Sequence, residues 1–247
     1  MKDRNFKKRS LNKTKLFKCR NLIRNKRKRN NMIVTQQKSF TEILKHLKKK
    51  ERIFIIGCGE CATVAKTGGE KEVSQMKKDL EKKGFVVTGS IIPEAPCNGA
   101  QIKSAIRKSK EILERSDSIL VMACGLGAQS VKENLLKDMV IHVSNNTLFM
   151  GQAGKNQEFK QSCAACGDCM LELTETICPV TRCAKGLVNG PCGGQDNGKC
   201  EVDKEVDCAW IKIYENLKSK DKLHLLKEIR TPKDHTKKTT QRNIKIS

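Results

Sequence analysis

The sequence predicts an α/β fold: a small doubly wound parallel sheet, followed by a cysteine-rich, metal-stabilised, ferredoxin-like module. Three observations predict it. Short apolar runs alternate with amphipathic helical segments from about residue 39 to 150. Past Gly151 the alternation stops, and Gly, Pro and Cys crowd the chain. Eight of the thirteen cysteines then fall between Cys163 and Cys208, with no histidine among them.

The elements follow in order. Ser39-Phe-Thr-Glu42 forms a capping box, and Phe40, Ile43, Leu44 and Leu47 continue on one helical face. Residues 53–56 are a short apolar strand. Residues 70–83 place Val73, Met76 and Leu80 at helical spacing and stop at Gly84, a helix C-terminal glycine. A second strand covers 85–92. A helix over 99–115 follows, with Ile102, Ala105, Ile106 and Leu113 inward. A third strand over 119–123, a helix over 128–137 and a fourth strand over 139–143 complete the pattern. Strands alternating with helices of this length argue βαβ units, a parallel sheet and right-handed crossovers. Residues 208–217 read as a last helix, with Trp210 and Tyr214 one turn apart. The chain therefore divides into a basic extension (1–31), an α/β domain (32–155), a Cys-rich module with its terminal helix (156–217) and a basic tail (218–247).

The net charge of +23 is confined to the ends. Residues 1–31 carry fourteen Lys/Arg against one acid, and residues 218–247 carry ten against three. The body between them is nearly neutral. Basic tails bind phosphates, but aromatics are only 4% of the chain, too few for a base-stacking platform. Nucleic-acid binding is therefore not the expectation. Residues 1–31 read as low-complexity, disordered sequence, and Met32 is an alternative natural start because patterned sequence begins there. The longest apolar runs are far too short to span a bilayer, and no secretory apolar region follows the basic N-terminus. A transit peptide would be Ser-rich and amphipathic, whereas this segment is Lys/Asn-rich with a single Ser. The expected compartment is the reducing cytoplasm, where clustered thiols favour metal or redox chemistry.

The cysteines form three candidate groups. Cys163-x2-Cys166-x2-Cys169, joined by Cys178-Pro179, is a ferredoxin-like set whose fourth member comes late. Cys183, Cys192, Cys200 and Cys208 form a second set, without the close Cys pairs usual in structural zinc sites. Spacing does not choose between zinc and a second cluster there, and ligands can exchange between the sets. Residues 159–208 have little apolar periodicity, so metals are expected to hold this segment folded. The third group rests on topology. Cys58 and Cys61 follow strand one, Cys97 strand two and Cys124 strand three, all at the carboxyl edge where open α/β sheets place ligands. The competing reading of these four is ordinary buried thiols.

Gly57-x-Gly59-x-x-Ala62 follows a strand as a dinucleotide fingerprint would, but two of its variable positions are cysteines. The second strand also offers no acid for a ribose. No Walker motif occurs. His46, His142, His224 and His235 are scattered. No nucleophile, base and acid triplet can be assembled, so the chain is not expected to be a catalyst on its own.

At Cys178-Pro179-x-Thr181-x-Cys183-Ala-Lys-Gly-Leu-x-Asn189-Gly190-Pro191-Cys192-Gly193-Gly194, then Gly198-Lys-Cys200-Glu201-Val202 and Cys208-x-Trp210-x3-Tyr214, the chain resembles a known family. It is the methylenetetrahydrofolate reductase C-terminal domain family, the MetV-type small, metal-cluster subunit of that reductase in acetogens and related anaerobes. The Gly57–Cys61 loop, residues 68–73 and Pro93-Glu94-Ala95-Pro96-Cys97-Asn98 resemble that subunit's N-terminal half. The resemblance implies a subunit carrying iron–sulfur clusters of the 4Fe-4S type, with zinc in one site as an alternative. It also implies a flavin-containing TIM-barrel partner that reduces methylenetetrahydrofolate in one-carbon metabolism. Two other readings stand beside it: a stand-alone ferredoxin-like carrier and a zinc-stabilised scaffold without redox role.

Overall fold

The computed structural model describes residues 31–239. The predicted basic extension, apart from Asn31, and the end of the basic tail lie outside the described residues. The described chain opens with a strand that the sequence pattern did not reveal, β1 (Asn31–Gln37). Helix α1 (Phe40–Leu44) follows, capped by the Ser39 hydroxyl, which accepts from the Glu42 amide at 3.2 Å.

The predicted parallel sheet is present. Its strands are β2 (Arg52–Ile56), β3 (Val86–Ile91), β4 (Ser118–Val121) and β5 (Val140–Val143), in the order β3-β2-β4-β5. Every neighbouring pair is parallel. Successive side chains of a strand point to opposite faces, so each apolar run serves two cores. Ile53, Ile55, Leu120 and Met122 pack on one face against α1 and α3 (Glu70–Lys82), through Ile43, Val73, Met76 and Leu80. Phe54, Ile56, Ile119 and Val121 pack on the other face. Their partners there are Ile102 and Ile106 of α4 (Gly99–Lys108), Leu113 of α5 (Lys110–Glu114), and Ala128 and Val131 of α6 (Gly125–Glu133). Both faces are covered, which makes the sheet doubly wound.

Two helices differ from expectation. The helix predicted over 99–115 breaks at Ser109, whose amide is shared between the Ala105 and Ile106 carbonyls. The break swings the last turn onto β3. The helix predicted over 128–137 starts three residues early, at Gly125, because that amide donates to Thr147 Oγ1 at 2.8 Å and the Cys124 carbonyl starts the helical ladder.

The second sheet was not foreseen. β6 (Asn145–Ala153) pairs antiparallel with β1 on one side and with β7 (Phe159–Cys163) on the other. A buried polar network joins it to the loop after β2: Thr35 and Thr67 share a hydroxyl hydrogen bond of 2.6 Å, and Asn145 Nδ2 donates to the Thr67 carbonyl at 3.2 Å. β7 ends on Cys163, so this sheet carries the chain into the cysteine-rich segment.

That segment also differs from expectation, because it owns an apolar cluster. Helix α8 (Ala209–Ser219) buries Trp210, Ile213 and Leu217 against Met170 and Cys208, with Ile177, Val180, Leu187 and Val188 around them. The loop members Met170, Ile177, Val180, Leu187 and Val188 are too irregularly spaced to register as a pattern and converge only when the loops fold over α8.

Candidate metal centres

The loops after β2 and β4 leave the sheet in opposite directions, because β2 connects to β3 on one side and β4 lies on the other. A crevice opens at such a switch point, beyond the carboxyl ends of the strands. Cys58 lies just past β2, Cys61 opens the short helix α2 (Cys61–Val64), and Cys124 caps α6 past β4. Cys97 lies in the loop after β3.

Close backbone approach locks these loops together. A Cβ on Gly68 would sit 1.8 Å from the Met122 carbonyl oxygen, and one on Gly59 would sit 3.2 Å from Glu94 Cα. The Cys58 amide donates to the Gly68 carbonyl, and the Gly59 amide to the Pro93 carbonyl, both at 2.9 Å. All three cysteine-bearing loops are thereby drawn to one edge.

The electrostatics agree with that placement. Burial pushes the Cys58 thiol up, against backbone hydrogen bonds from Ala62 and Glu60, and the charges of Cys61 and Cys124 push it further up. The Cys97 residue is exposed, yet desolvation at its sulfur is still the largest cause raising its pKa, followed by Cys124. Cys61 and Cys124 thus act on both Cys58 and Cys97.

The members of the second C-terminal set share one wall. Cys183, Cys192, Cys200 and Cys208 all line one cavity of about 20 Å³, beside Trp210. That is room for roughly a single water-sized atom. Backbone hydrogen bonds from Asp203 and then Val202 hold the Cys200 thiol below its ordinary range.

The ferredoxin-like set is divided. Cys163 and Cys178 line a cleft of about 780 Å³ that Cys61 also lines, between the α/β part and the cysteine-rich segment. Cys166 and Cys169 line neither this cleft nor the small cavity. The Cys163 sulfur accepts from the Ala165 amide at 3.3 Å. The Asp168 backbone, followed by desolvation and Lys233, governs Cys166, whose thiol is held below its ordinary range.

Among the described residues, no three His, Cys, Asp or Glu side chains are drawn to the spacing of ligands on one ion. The donor chemistry nevertheless suits a soft metal, because the shared walls present thiols and backbone N–H groups. The small cavity has the size of one ion, and the cleft has room for a larger group. Two features of this arrangement were not read from the sequence. One is the lock at Gly68. The other is Arg182, which lines both the cleft and the small cavity; its only sequence signal is its place between Cys178 and Cys183.

Among the described residues, no helix is long and apolar enough to cross a membrane. No curated protein and no solved structure matched the chain. Residues 142–236, from β5 to beyond α8, match the model of the family described as methylene-tetrahydrofolate reductase C terminal, and the cysteine-rich part of this chain is similar to that domain.

Proposed function

We propose that this chain is the metal-binding small subunit of a methylenetetrahydrofolate reductase, acting in the reducing cytoplasm beside a flavin-containing partner. The observation that carries the reading is the gathering of Cys183, Cys192, Cys200 and Cys208 on one cavity, inside the segment that matches the reductase family. A group bound by such thiolates as an iron–sulfur cluster supplies one-electron transfer.

The chain's own residues do the rest. Cys163 and Cys178, with Cys61, offer thiols to the larger cleft, while Cys166 and Cys169 lie in the loop between them. The Cys166 and Cys200 thiols are both held below their ordinary range, chiefly by backbone hydrogen bonding, which favours their thiolates. Trp210 lines the small cavity, its indole N–H donating to the Leu187 carbonyl at 3.0 Å. Cys58, Cys61, Cys97 and Cys124 form a further soft donor group at the sheet edge. The proposal assigns the reduction itself to the flavin-containing partner.

A second reading is favoured by the size of the small cavity, which suits a single zinc held for stability. Iron, zinc and sulfide content and the visible spectrum of the anaerobically purified chain separate the two. The proposal expects a broad thiolate-to-iron absorption band, no methylenetetrahydrofolate turnover by the chain alone, and turnover once the flavoprotein is added. A colourless protein containing only zinc would overturn the electron-transfer role.

A further inference from the structure

Helix α7 (Pro179–Arg182) is a four-residue bridge between two thiols: Cys178 precedes it and Cys183 follows it. Its last residue, Arg182, has its amide on the Cys178 carbonyl at 3.0 Å. Thr181 Oγ1 fastens the same turn to the Ser162 carbonyl at 3.3 Å, next to Cys163. The half-buried Arg182 therefore stands in the wall of the cleft shared by Cys61, Cys163 and Cys178 and also in the wall of the cavity shared by Cys183, Cys192, Cys200 and Cys208. It lines a third cavity with Glu205 and Asp207, but Asp207 is engaged by Lys199 and Lys212, and Glu205 forms no ion pair with Arg182. Among the described residues Arg182 has no carboxylate partner and no side-chain hydrogen bond.

A half-buried guanidinium without a counter-ion is costly, because it gives up water and gains nothing in return. Arginine cannot escape by losing its proton. Groups of thiolates have the opposite problem, since a metal held by four of them keeps net negative charge. We propose that Arg182 is the fixed counter-charge of the thiolate centres on either side of α7. It is a positioning residue whose fixed charge offsets the net negative charge of a thiolate-bound metal and so governs how tightly metal is kept. The proposal rests on the reading that these thiols hold metal. Guanidinium charge beside such a centre also favours its more reduced, more negative state.

The test uses the full chain, purified anaerobically as wild type, Arg182→Gln, Arg182→Lys and, as a distant control on the exposed side of α4, Arg107→Gln. Iron and zinc content, release of metal to a chelator, the reduction midpoint and circular dichroism are measured on each. The expected result is metal release about tenfold faster in Arg182→Gln, the scale of a lost partner to a metal ligand, with unchanged circular dichroism. Where a reducible centre is present, its midpoint should fall. Arg182→Lys keeps the charge and should stay close to wild type. Wild-type release and midpoint in Arg182→Gln would overturn the proposal while leaving the metal reading intact. So would equal loss in the Gln and Lys variants, which would assign the effect to shape, and this comparison holds even if the Gln variant folds poorly. A wild-type chain that holds no metal would overturn both.

Discussion

At Gly68 a single hydrogen faces the Met122 carbonyl, where a methyl group would sit 1.8 Å from the oxygen. Gly68→Ala must therefore push the loop after β2 away from β4, at a cost of about 1–3 kcal/mol for overpacking. The shift in urea midpoint measures it; on the proposed metal reading, metal content should fall with it. At the other end of the same strands, Arg52 grips Asp117 with Nη2–Oδ1 at 2.7 Å, and its amide adds a 2.8 Å bond. These bonds push the Asp117 carboxyl down to about 2, below the ordinary 3.8. A folded-state pKa below the unfolded value gives stability that is present above about pH 4 and lost as pH falls towards 2. Asp117→Asn should unfold at lower urea than wild type at pH 7, and the gap should close by pH 2. A gap that persists at pH 2 would mean that the carboxylate charge is not what matters. The cysteines were legible as donors because residue type alone carries that chemistry. Gly68 and Arg182 were not, because their importance lies in what they touch.

Elements were legible in proportion to how local their signal is. The parallel strands were, because a short run such as 53–56 is apolar on both faces and its flanking helices show period and caps. The sheet of β1, β6 and β7 was not. β1 pairs with residues more than a hundred positions away, and β6 is polar along much of its length, so neither shows a one-faced alternation. Its stability comes instead from buried hydrogen bonds such as Thr35–Thr67. The apolar cluster on α8 was missed for a similar reason. It predicts that Trp210→Ala costs about 3–5 kcal/mol, read by thermal melting. Limited proteolysis should then cut first between 163 and 208, while β2 to β5 stay resistant.

Across the whole molecule, the apolar cluster and the small thiol cavity meet at Trp210, which is the chain's single tryptophan. Removing metal with a chelator should change the tryptophan fluorescence while leaving the residue buried in the α8 cluster. A full shift to a solvent-exposed spectrum would show that the apolar cluster cannot stand without metal. By itself the sequence determined the α/β alternation, the all-thiol donor chemistry and the resemblance to the reductase C-terminal domain, because periodicity, residue type and motif spacing are properties of neighbours along the chain. Only the tertiary structure decided which thiols share a wall. It brought Cys61 to the same cleft as Cys163 and Cys178 through the unforeseen antiparallel sheet, and it set Arg182 in the walls of both cavities. Such groupings depend on contacts between distant segments, which are fixed by packing and leave no periodic trace in the chain.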